Sequence, residues 1–221
     1  MDKSTKRILI ISASAVGAVA LSVVAWWLWI TFRGRKKSTT YTMNQNQTNT
    51  STGSTTPSIA GKTASGLVAY CRAQLGRPYW YGTFGQRGSE SLYQYKKKQY
   101  PAYYTASNYA SQYGQKVHDC VGLVKGYFLC SGPDDTNPTY LGNGFPDVSA
   151  NGLLSYSQEK GLVAVDFPDI PGVAVFMPGH VGVYIGNGQV IEAMNHSRGV
   201  VQTSLKGRPW VSWAKIPGLK Y

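Results

Sequence analysis

Gly179-His180-Val181-Gly182-Val183-Tyr184-Ile185-Gly186-Asn187-Gly188-Gln189-Val190-Ile191-Glu192-Ala193-Met194 reads as two strands about a Gly-Asn-Gly turn, and its register decides the fold. Glycine and asparagine tolerate the left-handed backbone that tight hairpins need. A two-residue Asn187-Gly188 turn would pair Gly186 with Gln189, put Asn195 opposite His180, and set Glu192 opposite Val183 among apolar neighbours. A three-residue Gly186-Asn187-Gly188 loop, with Gly188 at the left-handed bulge position, pairs Ile185 with Gln189 instead. A one-residue slip moves every side chain to the other face, so the apolar pattern chooses between the two. In the three-residue register Val181, Val183, Ile185, Ile191 and Ala193 face the core, and Glu192 lies beside the His180 imidazole. The other register leaves an unpaired carboxylate among apolar groups, which is costly.

Outward from the hairpin, the chain reads as helices first and antiparallel strands after. Apolar residues at Leu67, Val68, Cys71 and Leu75 have helical spacing over Ser65 to Leu75, with Gly76 as the stop. Asp119 to Cys130 is a second helix, with Leu123, Val124, Phe128 and Leu129 as its apolar stripe and Asp119 as its cap. A short helix is expected within Leu153 to Lys160. Strands are expected at Leu162-Val163-Ala164-Val165, at Val173 to Phe176 and at Trp210 to Ile216. Pro78-Tyr79-Trp80-Tyr81-Gly82 is an aromatic turn or short extended stretch. From Thr83 to Lys116 the chain is polar, tyrosine-rich and poorly periodic, and its Lys96-Lys97-Lys98 run reads as a solvated loop. A segment of that length inside a compact domain has a role of its own or hidden secondary structure. The order of elements predicts an α+β domain, a helical layer against a curled antiparallel sheet.

Cys120 opens the second helix, where free backbone N–H groups carry partial positive charge and favour thiolate over thiol. His180 opens the first strand of the hairpin. A thiol and an imidazole in these positions are sufficient for acyl transfer, with a third polar group fixing which ring nitrogen faces the sulfur. Glu192, Asn195 and His196 are the candidates; the register favours Glu192, with Asn195 as the alternative orienting residue. His118, His180 and His196 with scattered carboxylates show no zinc-ligand spacing, so neither a metal nor a cofactor is expected.

The formal charge is +12, yet from Thr63 onward the chain carries 14 Lys and Arg against nine Asp and Glu. That excess suits an anionic polymer or surface but is too small, without a basic recognition stripe, to argue for nucleic acid. The three cysteines make no disulfide framework. Cys120 and Cys130 stand about 15 Å apart along one helix and should not bridge; Cys71 and Cys130, on separate helices, could meet in a disulfide, but two buried free thiols are the favoured reading.

The N-terminal part has a different composition. After a short tail, residues 1–7, the run 8–30 has no charge and ends near Trp26-Trp27-Leu28-Trp29. A helix of that length crosses a hydrocarbon core of about 30 Å. The run is longer than a cleaved signal's apolar region and lacks a small-residue cleavage site at its end, so it is expected to remain as an anchor. Residues 31–62 combine a basic juxtamembrane stretch with a Ser/Thr/Asn/Gln-rich linker that cannot bury enough apolar surface to order itself. Residues 63–221 form the remaining domain. Flanking charges alone slightly favour a cytoplasmic C-terminal domain.

The segment Asp119-Cys120-Val121-Gly122-Leu123-Val124, Pro171-Gly172 before an apolar strand, and Gly179-His180-Val181-Gly182-Val183-Tyr184-Ile185-Gly186 together resemble the NlpC/P60 family of cell-wall cysteine peptidases. The resemblance implies a papain-like core and cleavage of peptidoglycan stem peptides, often between D-glutamate and a diamino acid. It implies Cys120 as nucleophile, His180 as base and Glu192, twelve residues beyond the histidine, as orienting residue. Gly76-Arg77-Pro78-Tyr79-Trp80-Tyr81-Gly82 resembles the family's upstream stretch, which assigns to Tyr79 a contact with the nucleophile. Val121 departs from the serine usual in the family, and the link from Gly82 to Cys120 is much longer than usual. A peptidoglycan substrate requires an extracellular domain, which overrides the weak charge bias. Anchor, tether and wall-directed domain are similar to surface or conjugation-associated hydrolases, with a secretion or conjugation machinery as the implied protein partner.

Overall fold

The computed structural model describes residues 61–221. The expected tail, anchor and linker over 1–60 lie outside the described residues; among those described, no helix is long and apolar enough to cross a membrane.

The first helix, α1 (Ala64–Ala73), starts at Thr63, whose side chain accepts the Gly66 N–H, and buries Leu67 and Cys71. Leu75, expected on the apolar stripe, is instead exposed beyond the helix end. The tyrosine-rich stretch is not a loop. It opens with β1 (Phe84–Arg87), continues through α2 (Glu90–Gln99) and two 3-10 turns, and closes with β2 (Lys116–His118), antiparallel to β1. Ser89 caps α2 by accepting the Leu92 N–H, and the Lys96-Lys97-Lys98 run occupies its last turn. Lys96 is buried there, which corrects the expectation of a solvated loop. The excursion has a core of its own: Trp80 is fully buried, its Nε1–H donates to Gln112 Oε1 at 2.6 Å, and Tyr93, Tyr104, Tyr109 and Tyr113 surround its ring edge-on. Rings satisfy a core without helical periodicity, because each covers a large area from an irregular backbone.

After β2 comes α3 (Cys120–Leu129), capped by Asp119 as expected. Helix α4 (Ala150–Tyr156) begins three residues earlier than expected. Strand β3 covers Lys160–Leu162, and the next residues, expected to be strand, form the helical turn α5 (Val163–Asp166). Asp166 explains the difference: one of its carboxylate oxygens accepts the Leu162 N–H at 2.8 Å and the Trp213 indole N–H at 2.9 Å, closing the turn. The remaining strands are β4 (Ala174–Met177), β5 (His180–Gly186), β6 (Gln189–Asn195), β7 (Gly199–Ser204) and β8 (Ser212–Ala214). Strand β7 was not anticipated. The antiparallel sheet runs β3-β8-β4-β5-β6-β7, so the last strand inserts between β3 and β4.

The hairpin reaches the expected register by another route. Asn187 and Gly188 form a two-residue turn with φ of 53° and 66°, and Gly186 pairs with Gln189. A bulge at Ile185 then restores Tyr184 to Val190 and Val183 to Ile191. Val181, Val183, Ile185, Ile191 and Ala193 consequently join Leu67, Leu123, Val124 and Phe128 in the main core, between helices and sheet. On the opposite face Val173, Val175, Tyr184, Val190, Trp210 and Trp213 form a second, smaller cluster.

His118, fully buried at the end of β2, has its Nε2 3.2 Å from Gln74 Oε1 and its Nδ1 3.4 Å from the Gly122 carbonyl. Burial, reinforced by the charge of Lys116, lowers its pKa to about 3. The imidazole thus stays neutral in the folded chain but protonates near pH 6.5 when unfolded, so protons favour the unfolded state. This contribution is complete above about pH 6.5 and is lost as pH falls toward 3, by about 1.4 kcal/mol per pH unit. Urea unfolding between pH 7.5 and 4.5 is expected to show that decline, flattened in His118→Gln; equal slopes in the two proteins would place the effect elsewhere.

Candidate active site

Cys120 is the first residue of α3, and its position follows from the cap before it. Asp119 Oδ1 accepts the Gly122 N–H at 2.5 Å, and its Oδ2 accepts the Gly82 N–H at 2.8 Å. One carboxylate therefore ends the helix and ties it to the aromatic turn that carries Tyr79. The approach is close: a Cβ on Gly122 would lie 1.8 Å from the Thr83 carbonyl oxygen, so only glycine fits there. The half-buried Cys120 Sγ lies 4.0 Å from the Gly179 carbonyl, and the Val181 N–H also faces the sulfur. Those two groups flank His180, which brings the start of β5 alongside the thiol. Asn151 on α4 holds this segment by accepting the Gly179 N–H at 3.0 Å.

The imidazole of His180 bonds through Nε2 to Glu192 Oε2 at 2.7 Å. Glu192 is fully buried on β6 and would be costly there alone. Three donors compensate it: Oε2 also accepts from Arg208 Nη2 at 2.9 Å, and Oε1 accepts from Thr203 Oγ1 at 2.7 Å. Burial raises the carboxyl pKa, but the bonds from His180, Thr203 and Arg208 outweigh it and hold the group below its ordinary value. An ionised carboxylate only accepts hydrogen bonds, so Nε2 carries the proton and Nδ1 is left as the basic nitrogen. Trp210 stacks on the imidazole, with ring centroids 5.8 Å apart and planes 16° from parallel.

The hairpin thus joins His180 to Glu192 and not to the alternative, Asn195. The Asn195 side chain accepts from Ser197 Oγ and the Arg198 N–H at the turn into β7. His196 is also turned away: its Nδ1 lies 3.3 Å from the Tyr79 carbonyl and its Nε2 2.6 Å from Asn108 Oδ1. The Tyr79 ring packs against the main core within electrostatic reach of Cys120 and Asp119, and burial with those charges raises its phenol pKa. Thr203 was not anticipated because β7 was not, and Arg208 and Trp210, which follow that strand, reach the histidine only through the fold. A buried glutamate beside one histidine was itself a signal that further donors had to be found. Cys71 and Cys130 are free and buried, as expected.

The expectation of a thiolate at the helix N-terminus does not hold for the resting site. Burial, aided by the Asp119 carboxylate one residue away, pushes the Cys120 thiol up to about 12, against the opposing pull of the Val181, Val121 and Cys120 N–H groups. Among the described residues no cluster of His, Cys, Asp and Glu could hold a metal ion. A thiol at the head of α3, with the backbone on both sides of His180 against its sulfur and the His180 imidazole bound to a buried carboxylate, supplies the groups that acyl transfer through a sulfur nucleophile needs.

No family model matches the chain, and no curated protein matches it. Among solved structures it is similar to NlpC2 from Trichomonas vaginalis, at 18% identity and a TM-score of 0.44 over 71% of this chain and 48% of that one. It is similar to the P60 domain of an antigen from M. avium subspecies paratuberculosis, at 19% identity and a TM-score of 0.43 over 72% of this chain and 96% of that domain. It is also similar to the peptidoglycan hydrolase RipB from Mycobacterium tuberculosis, at 18% identity and a TM-score of 0.41 over 99% of this chain and 93% of that one. The chain spans about half the length of the Trichomonas vaginalis proteins.

A resting thiol alkylates slowly at neutral pH. With the Cys120 peptide followed by mass, iodoacetamide labelling of the unliganded chain is expected to accelerate by close to tenfold per pH unit from pH 7 to 9 without a plateau. A plateau reached below pH 7 would mean a preformed thiolate–imidazolium pair.

Proposed function

We propose that the chain is a peptidoglycan endopeptidase of the NlpC/P60 kind, a cysteine peptidase that hydrolyses an amide bond in the stem peptide through Cys120, His180 and Glu192. The observation that carries this reading is the 2.7 Å bond from His180 Nε2 to the buried Glu192. It leaves Nδ1 as the base for the thiol at the N-terminus of α3. The motifs around Cys120 and His180 that resemble the family support the same assignment.

The chemistry follows from the protonation states. As the scissile carbonyl approaches, Nδ1 of His180 takes the Cys120 proton and the sulfur attacks, so deprotonation and attack are coupled. Glu192 stabilises the imidazolium that forms, while Arg208 and Thr203 fix the carboxylate's orientation. The Cys120 N–H is suited to hold the oxyanion. His180 then protonates the leaving amine, leaving a thioester, and activates the water that hydrolyses it. Tyr79 contacts the nucleophile as a protonated phenol. An amidase acting on another wall bond, an acyltransferase or an inactive wall-binding module are the competing readings. The bonded His180–Glu192 pair favours catalysis over the last.

For localisation, we propose a single-pass membrane protein anchored through 8–30, with residues 31–62 as tether and the catalytic domain outside the cell, where peptidoglycan lies.

Purified peptidoglycan incubated with the full chain is expected to release fragments, each cleavage adding the mass of one water. Cys120→Ala should slow this by roughly a thousandfold or more. Products that carry an acceptor amine in place of water would establish transfer, and equal digestion by both proteins would remove Cys120 from the mechanism. In protoplasts, added protease should degrade the domain; protection until lysis would place it inside.

A further inference from the structure

The buried end of the lysine run has no role in the mechanism above. Lys96 is only 9% exposed, and among the described residues its ammonium has one hydrogen-bond acceptor, Gln99 Oε1 at 3.3 Å. The rings of Tyr95 and Tyr100 lie 5.4 and 5.6 Å away. Its Nζ also stands against Gly82, where an added Cβ would be 3.3 Å distant. Gly82 is the residue whose N–H binds the cap of the nucleophile helix.

The ammonium lines a cavity of about 970 Å³ between the 83–116 excursion and α3, reaching Asp119 and Val121 on either side of Cys120. Its other charges are largely committed. Lys125 is paired with Asp147, and both oxygens of Asp119 accept backbone N–H groups. Lys96 and Arg87 remain, with no carboxylate at ion-pair distance among the described residues. Burial lowers the Lys96 pKa, while the more distant Asp119 and Asp147 oppose that change.

We infer that this cavity is a substrate subsite for a carboxylate, with Lys96 as its counter-ion and specificity-determining residue. This rests on the endopeptidase reading, which supplies the ligand: in a γ-linked D-glutamyl bond the α-carboxylate remains free beside the scissile amide. A cation against Gly82, whose N–H binds the helix cap, is placed to receive it, and Arg87 adds positive charge at the cavity wall. The excursion thereby takes part in choosing the bond.

Two synthetic stem peptides decide the matter, L-Ala-γ-D-Glu-L-Lys-D-Ala and its counterpart with the glutamyl α-carboxylate as a carboxamide. Calorimetry with the full chain carrying Cys120→Ala is expected to show about tenfold tighter binding of the carboxylate peptide. Adding Lys96→Met should remove that preference, raising Kd for the carboxylate peptide about tenfold and for the carboxamide several-fold less; Lys96→Arg should retain it. In the catalytically intact chain the same preference should appear in KM rather than kcat. Equal binding of both peptides, or equal weakening of both by Lys96→Met, overturns the inference. If Lys96→Met fails to fold, the two peptides on the unaltered cavity and Lys96→Arg still decide. Cleavage of both without preference overturns the subsite alone, preferential binding without cleavage overturns the endopeptidase reading alone, and absence of both overturns both.

Discussion

One extra residue in β5 governs the molecule. The bulge at Ile185 lets a tight Asn187-Gly188 turn coexist with a register that sends Val181, Val183, Ile191 and Ala193 toward the helices. Without it the same turn would invert β6 relative to β5, exchanging apolar and polar faces along the strand. With it, His180 and Glu192 share the opposite face. The core is satisfied and the histidine gains its carboxylate through a single backbone adjustment.

Two buried carboxylates then organise the rest in different ways. Asp119 accepts only backbone donors, so its charge serves geometry: it holds α3 to the aromatic turn and raises the proton affinity of the neighbouring thiol. Glu192 accepts only side-chain donors, and cationic Arg208 shares its Oε2 with His180. Burial raises the carboxyl pKa at both; at Glu192 the donors outweigh it, and at Asp119 a net upward shift remains. The contrast leaves a reserved thiol at the head of α3 and an oriented imidazole at the head of β5.

Much of this was legible in the sequence, and what was not has physical causes. The helix cap, the apolar faces of the hairpin and the His180–Glu192 pairing follow from periodicity and the cost of an unpaired charge. The turn was misread because a bulge and a longer loop shift the register identically, so apolar patterning cannot distinguish them. Strand β7 was missed because its burial alternates only beyond Val201, leaving Gln202 and Ser204 exposed. Helix α2 was missed because its contacts are tyrosine rings and an amphipathic lysine, not a stripe of aliphatic residues. The thiolate expectation counted the helix N-terminus and omitted desolvation, which acts on the same sulfur with opposite sign.

The pairing of β1 with β2 means that the 83–116 excursion leaves and re-enters the domain at one point. Its ends stay together whatever lies between them, and the loop-closure cost of lengthening such a segment rises only as the logarithm of its length, by about 0.6 kcal/mol for each doubling. The excursion is therefore tolerant in length, while its aromatic core stays coupled to the rest through Trp80 and through the Asn108 and Tyr109 contacts to His196. The length of the segment can thus change while its two ends stay anchored against the start of α3.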